Sequence, residues 1–171
     1  MEYKGVYISI IRPNDGVFGD GNHESTQMVL EALYQQKPKG KKVLDIGTGT
    51  GIQSIFAKKW GAEEVYAVDV DMMAIKTARK NFVKNDVEVT SRLNIYNEML
   101  DFKADIIVAN LPTHNVVEFV PMAKDTLSEN GVIIFSWAKD FGIHEVNMDG
   151  YEIVKHLEGI EWDSYVIKEK K

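Results

Sequence analysis

The sequence predicts an α/β fold built on a largely parallel sheet with helices on both faces. Three observations point there. After Lys42, short apolar runs alternate with segments of helical period, the pattern of successive strand–helix–strand units. The run ADIIVAN is unbroken rather than alternating, as strands covered on both faces are. The chain closes with two strand-like runs joined by a turn, a hairpin that puts one antiparallel strand into the sheet.

Taken in order, FGDGNHEST at 18–26 is a polar, glycine-bearing loop ahead of the apolar-periodic MVLEAL. VLDIG at 43–47 is a short strand running into glycines. Residues 51–60 carry helical spacing at Ile52, Ile55, Phe56 and Lys59. VYAVDV at 65–70 is a second strand, and 72–85 an amphipathic helix with Ile75, Ala78 and Phe82 on one side. VEVTSR at 87–92 is a weaker strand, and 104–110 the apolar one. A helix is expected over 116–130 with Gly131 as its stop. GVIIFSW at 131–137 is a fifth strand, and the tail folds as YEIVKHLEG and WDSYVIKEK about a turn at 159–161.

The 171 residues suggest one domain, and 44% hydrophobic with 27% charged residues is an ordinary globular mixture. There is no cysteine, which excludes disulfides, thiolate zinc sites and cysteine nucleophiles. No apolar run can span a bilayer and the N-terminus lacks a signal-peptide layout, so a cytoplasmic protein is expected. A net charge of −6 weighs against non-specific nucleic-acid binding. No His/Asp/Glu spacing suggests a metal site.

The chemistry concentrates at KKVLDIGTGTGIQS. Asp45 closes the strand, glycines follow at 47, 49 and 51, and a helix begins. Such glycines let a backbone approach a ligand closely and aim amide N–H groups at it, at the carboxyl end of a strand. A dinucleotide fingerprint needs G-x-G-x-x-G/A, and the frames from Gly47 and Gly49 fail at Ile52 and Ser54. An acid ahead of the glycines suits a cationic group better than a pyrophosphate. S-adenosylmethionine offers an ammonium and a sulfonium. Asp69, twenty residues beyond Gly49, ends the second strand, where it can accept hydrogen bonds from ribose hydroxyls. Helix capping and strand-end solvation are the plainer readings of both acids.

DIGTGTGIQS followed by VYAVDVD resembles the class I S-adenosylmethionine-dependent methyltransferases, over about residues 16–168. The resemblance implies a Rossmann-like, seven-stranded, mostly parallel sheet with an antiparallel last strand. It also implies a cofactor set of Asp45, Gly47, Thr48, Gly49, Gly51 and Asp69. Within that class FGDGNHEST resembles the FGTGTHPTT loop of the PrmA-type ribosomal protein methyltransferases, matching at Phe18, Gly19, Gly21, His23 and Thr26 and departing at Asp20, Asn22, Glu24 and Ser25. The family's loop folds over the cofactor, which implies that Phe18 packs near it and Thr26 hydrogen-bonds it. The whole chain then reads as one domain, a lid loop and helix over 1–40 and a core sheet over 41–171, without the family's N-terminal recruiting domain. The local alternative is that Asn22 caps the following helix, with Glu24 in its first turn.

On the acceptor side, Asn110-Leu111-Pro112-Thr113-His114 is similar to the NPPY-type motif of methyltransferases acting on amino nitrogens. That likeness implies that the Asn110 side-chain oxygen and the next carbonyl accept hydrogen bonds from the target nitrogen, with Pro112 matching the motif's proline and Asn110 also near the cofactor; a turn former before proline is the local reading of Asn110. With threonine in the aromatic place, a flat base has no evident stacking partner here. NLPTHNVVEFV also resembles a segment of archaeal-type tRNA guanine methyltransferases. His114 and His23 are candidate bases, or else solvated or capping histidines. Adenine is expected against the loop after the third strand, at Asn94 or Asn97. Trp137, Trp162 and the KEKK tail read as core, rim and solvated end. Expected is direct in-line methyl transfer to an amino nitrogen of a protein. Transfer to RNA or a small molecule stays open, as does a non-catalytic cofactor-binding subunit working with a partner. A nucleotide-dependent oxidoreductase is the remote alternative.

Overall fold

The computed structural model describes residues 1–11, 16–94 and 102–171. Two short strands, β1 (Glu2–Tyr3) and β2 (Val6–Tyr7), form an N-terminal hairpin about Lys4 and Gly5, both at positive φ, as the tight primed turns require. Helix α1 (Glu24–Gln35) follows, then β3 (Lys42–Ile46), α2 (Ile52–Lys59), β4 (Glu64–Asp69), α3 (Met72–Lys84), β5 (Thr90–Leu93), β6 (Ala104–Ala109), α4 (Thr113–Phe119), β7 (Leu127–Ala138), β8 (Tyr151–Glu158) and β9 (Trp162–Glu169).

Seven strands make one sheet in the order β5-β4-β3-β6-β7-β9-β8. Neighbours from β5 to β7 are parallel, and β9 runs antiparallel between β7 and β8. The strand order reverses beside β3, which has β4 on one side and β6 on the other. A crevice at the carboxyl ends of strands opens at such a switch point.

Strand periodicity supplies the two apolar layers. On β3, Val43 joins the layer holding Val29 and Leu33 of α1, while Leu44 joins the layer holding Val116 and Phe119 of α4. On β6, Ile106 and Val108 face the first layer and Ile107 and Ala109 the second, all fully buried. At about 25 cal/mol per Å² of apolar surface, layers of this extent dominate the folding energy. β8 is the outer strand; its register shifts between Ile153 and Lys155, a bulge that discourages edge-to-edge pairing.

Two expected elements differ. The helix expected over 116–130 is α4 followed by a 3-10 turn, Val120–Thr126, with Pro121 at its start. Proline lacks the N–H that would continue the helix. Gly131 is no helix stop: it lies inside β7, which begins at Leu127 and shifts register against β6 between Ala104 and Ile106. The strand expected over 87–92 is β5, displaced toward the carboxyl end.

The N-terminal segment is tied down by α3. Asn85 accepts from the Ser9 N–H (2.9 Å) and donates to the Ser9 carbonyl (2.8 Å); Asn81 does the same for Ile11 (2.6 and 3.2 Å). Asn81 Nδ2 also donates to the Thr50 carbonyl at 2.9 Å. One buried carboxamide thus joins the N-terminal segment to the glycine loop.

Candidate functional site

A cavity of about 550 Å³ opens over the carboxyl ends of β3, β4 and β6. Ile46, Gly47 and Gly49 form its floor, Val68 to Asp71 and Ala74 one wall, and Asn110, Leu111, Pro112 and Asn115 the facing wall. Residues 16–18, His23, Ser25, Asn94 and Trp162 complete it. Asp45, Thr48, Gly51, Thr26 and His114 do not line it, and Asn97 lies outside the described residues.

The glycine loop behaves differently from the expectation that its amides point at a ligand. The N–H groups of Gly47 and Thr48 both donate to the Val68 carbonyl (2.9 and 3.0 Å). Gly49 N–H donates to Asp69 Oδ2 (2.9 Å), Thr50 N–H to the Phe18 carbonyl (3.0 Å) and Gly51 N–H to the Thr48 carbonyl (2.8 Å). Every amide of the loop is taken, whereas phosphate loops leave theirs for the anion. The glycines serve close approach instead. A Cβ on Gly47 would strike Leu111, one on Gly49 the Phe18 carbonyl, and one on Gly51 the Phe82 ring. All three have positive φ, which glycine adopts freely.

What the loop presents is acceptors. Asp45 is 1% exposed. Its Oδ2 accepts from Thr48 Oγ1 (2.7 Å), Ser54 Oγ (2.6 Å) and the Ser54 N–H (3.2 Å), while Oδ1 is buried without a hydrogen-bond partner. Burial pushes the Asp45 carboxyl up to about 6, against the hydroxyl hydrogen bonds that favour its charged form. Asp69 lines the cavity; besides Gly49, it accepts from the Asp71 N–H through Oδ1 (2.9 Å). Asn94, 8% exposed on the cavity wall, has an unpartnered Oδ1. An unpartnered amide oxygen and a carboxylate in the wall, with the buried Asp45 carboxyl behind the floor, suit a ligand that donates hydrogen bonds or carries positive charge. S-adenosylmethionine has both properties, so the residues fit it.

The loop before α1 is fastened onto the glycine loop. Besides the Phe18 bond, the Gly19 carbonyl accepts from Thr50 Oγ1. His23, not Asn22, caps α1: its Nδ1 accepts from the Ser25 N–H at 3.3 Å, and Asn22 bonds Asp20 instead. The His23 ring stands edge-on to Phe18 (centroids 5.1 Å) and to Trp162 (5.4 Å). All three rings line the cavity. The rings beside the cavity thus come from the lid and from β9, none of them from the Asn110 motif.

Asn110 is held from both sides. Its Nδ2 donates to Thr26 Oγ1 (3.2 Å), and its Oδ1 accepts from Ser136 Oγ (2.7 Å). Thr26 is fully buried, so the structure places it behind Asn110 rather than on the cavity surface. His114 is exposed on α4, and the wall takes Asn115 instead. The sequence reading missed the wall role of Trp162, which a signal existed to find: an antiparallel last strand starts at the edge where parallel strands end, and Trp162 pairs with Ala138.

Among the described residues no helix is long and apolar enough to cross a membrane, and no group of three or more His, Cys, Asp or Glu could hold a metal.

Comparison with known proteins gives consistent results. The family model described as ribosomal protein L11 methyltransferase (PrmA) matches residues 9–170. A ribosomal protein L11 methyltransferase from Thermosipho melanesiensis is 38% identical over 160 residues, covering 93% of this chain and 61% of that protein. The enzyme of that name from Caldicellulosiruptor saccharolyticus is 39% identical over 142 residues, covering 82% and 45%. The chain thus spans about half to three-fifths of the length of these relatives. The crystal structure of a ribosomal protein L11 methylase from Lactobacillus delbrueckii subsp. bulgaricus superposes with a TM-score of 0.81 at 27% identity, covering 90% of this chain and 81% of that one.

Proposed function

Because the chain belongs to the ribosomal protein L11 methyltransferase (PrmA) family, we propose that it moves a methyl group from S-adenosylmethionine to an amino nitrogen of a protein. The carrying observation is the polarity of the cavity: the amides of residues 47–51 are all engaged, while Asp69 and Asn94 offer acceptor oxygens on its walls and Asp45 lies buried beneath its floor. When bound, S-adenosylmethionine supplies a methyl already activated by its sulfonium.

The chain's own residues then hold and align. Asp69, fixed by the Gly49 and Asp71 amides, accepts the ribose hydroxyls. Asn94 takes the adenine side, and the unpartnered Oδ1 of Asp45 draws the cationic end. Gly47 and Gly49 keep the floor low enough for a ligand to lie against it, and Phe18 covers it. Asn110 Oδ1 has a second lone pair beyond the one given to Ser136; that lone pair accepts an N–H of the target amine and turns its free electron pair inward. Thr26 and Ser136 prevent the carboxamide from rotating, and Pro112 shapes the wall beside it. Such positioning in a water-poor pocket is the main work of a direct displacement. His23 Nδ1 is engaged as the cap of α1, so in this reading the proton of the target amine is lost to water before transfer. The acceptor we favour is the kind the relatives are named for, ribosomal protein L11, and a cytoplasmic site of action goes with that reading.

Titration calorimetry with S-adenosylhomocysteine and with NAD tests the donor site. The first should bind and the second should not. Asp69→Ala should weaken S-adenosylhomocysteine by about 1–3 kcal/mol, roughly 5- to 150-fold, in a folded protein. Equal affinity in that variant would remove Asp69 from the site, and binding of NAD alone would overturn the reading.

A further inference from the structure

We propose that Glu24 is a positioning residue that fixes Trp162 as a wall of the cavity. The inference rests on the reading of that cavity as the donor site. Glu24 Oε1 accepts from the Ile160 N–H (2.6 Å), and Oε2 accepts from the N–H groups of Glu161 (2.9 Å) and Trp162 (3.2 Å). One carboxylate therefore gathers three consecutive amides of the turn between β8 and β9. Such a concavity of N–H groups is an anion site, and here the chain supplies its own anion.

The surrounding residues are arranged to keep it there. Asp163 Oδ1 accepts the N–H of Gly159 (3.2 Å), and Lys139 Nζ donates to the Gly159 carbonyl (2.7 Å). Gly159 has no room for a side chain: a Cβ would sit 2.7 Å from Glu24 Oε1 and 2.6 Å from Met28 Sδ. Between Gly159 and Trp162 the turn carries Ile160 and Glu161, both exposed, so nothing apolar anchors it. Adjacent residues of the lid thus grip the same tryptophan in two ways, His23 against its ring and Glu24 on its amide. Position 24 is also where this loop departs from FGTGTHPTT, whose proline cannot accept a hydrogen bond through its side chain.

Glu24 does not itself line the cavity; it acts through Trp162. Removing it should let the turn swing and the ring leave His23, opening the cavity without unfolding the sheet. Incorporation of 5-fluorotryptophan gives three ¹⁹F resonances, from Trp60, Trp137 and Trp162, assignable by substituting each in turn. In Glu24→Ala the Trp162 resonance should shift and acquire a larger H2O/D2O difference, with those of Trp60 and Trp137 unchanged. Glu24→Gln, which keeps one acceptor oxygen, should lie between. S-adenosylhomocysteine affinity should drop about tenfold in Glu24→Ala and in Trp162→Ala, and no further in the double variant. A Trp162 resonance that stays put in Glu24→Ala overturns the proposal, as do losses that simply add. If the unaltered chain binds no S-adenosylhomocysteine, the donor reading fails, and the fluorine spectrum alone decides the role of Glu24.

Discussion

At the scale of single residues, Asp45 is the sharpest test of the electrostatics. Burial favours its neutral form and raises it from 3.8 to about 6. Between those values the folded protein holds a proton that the unfolded chain has lost. Stability attributable to Asp45 therefore falls as pH rises through that window, by about 3 kcal/mol. Asp45→Asn should remove this component, so the stability gap between the two proteins, read from denaturant unfolding, should change in favour of the variant from pH 4 to pH 7. A gap independent of pH would contradict the assignment. A cation bound beside Asp45 restores its charged form, so ligand binding near pH 5 should release a proton. Residues of this kind were legible because they end strands beside glycines. Glu24 was not. Its partners lie 136 to 138 residues away, and no local pattern records a contact made by chain reversal. Thr26 was legible as a residue of this region, but its burial against Asn110 was not, because a motif names a residue without saying what its side chain packs on.

At the scale of elements, the lid and the glycine loop form one unit. The Phe18 carbonyl accepts from Thr50, the Gly19 carbonyl accepts from the Thr50 hydroxyl, and Asn81 holds the Thr50 carbonyl. Gly49→Ala would thrust a methyl against the Phe18 carbonyl at φ +54. Overpacking of about 1–3 kcal/mol, with about 1–2 more for a left-handed non-glycine backbone, should lower stability. It should also lift the lid, so S-adenosylhomocysteine affinity should fall by more than in Gly40→Ala, a positive-φ glycine with open space around it. Equal loss in both would mean that only the backbone conformation matters. The strands β3, β4 and β6 could be read from the sequence because double-sided burial leaves unbroken apolar runs. The end of α4 could not. Val116, Phe119, Val120 and Ala123 keep a helical spacing of buried residues through the 3-10 turn, so the period continues where the α-helix has stopped at Phe119, just before Pro121. The β1–β2 hairpin was equally hidden, since strands of two residues have no period to detect.

At the scale of the molecule, the strand order reverses beside β3, and among the described residues Gly47, Gly49, Asp69, Asn94, Asn110 and Pro112 meet at one edge. The sequence announced this edge through Asp45, Asp69 and Asn110, each at the carboxyl end of its strand. It did not announce that β9, running the other way, would deliver Trp162 to the same edge. That arrangement lines one cavity with glycines at the floor and with Phe18, His23 and Trp162 at its side, and under the proposed function either a protein amine or a nucleobase could be the acceptor offered there. The measurement that separates them is transfer of labelled methyl from S-adenosylmethionine by the purified chain, into isolated large-subunit ribosomal protein L11 and into a cell extract split by protease and by nuclease. We predict label on the ribosomal protein and label in the extract that protease removes and nuclease does not. Label removed only by nuclease, or none in either substrate by a chain that binds the donor, would contradict the account.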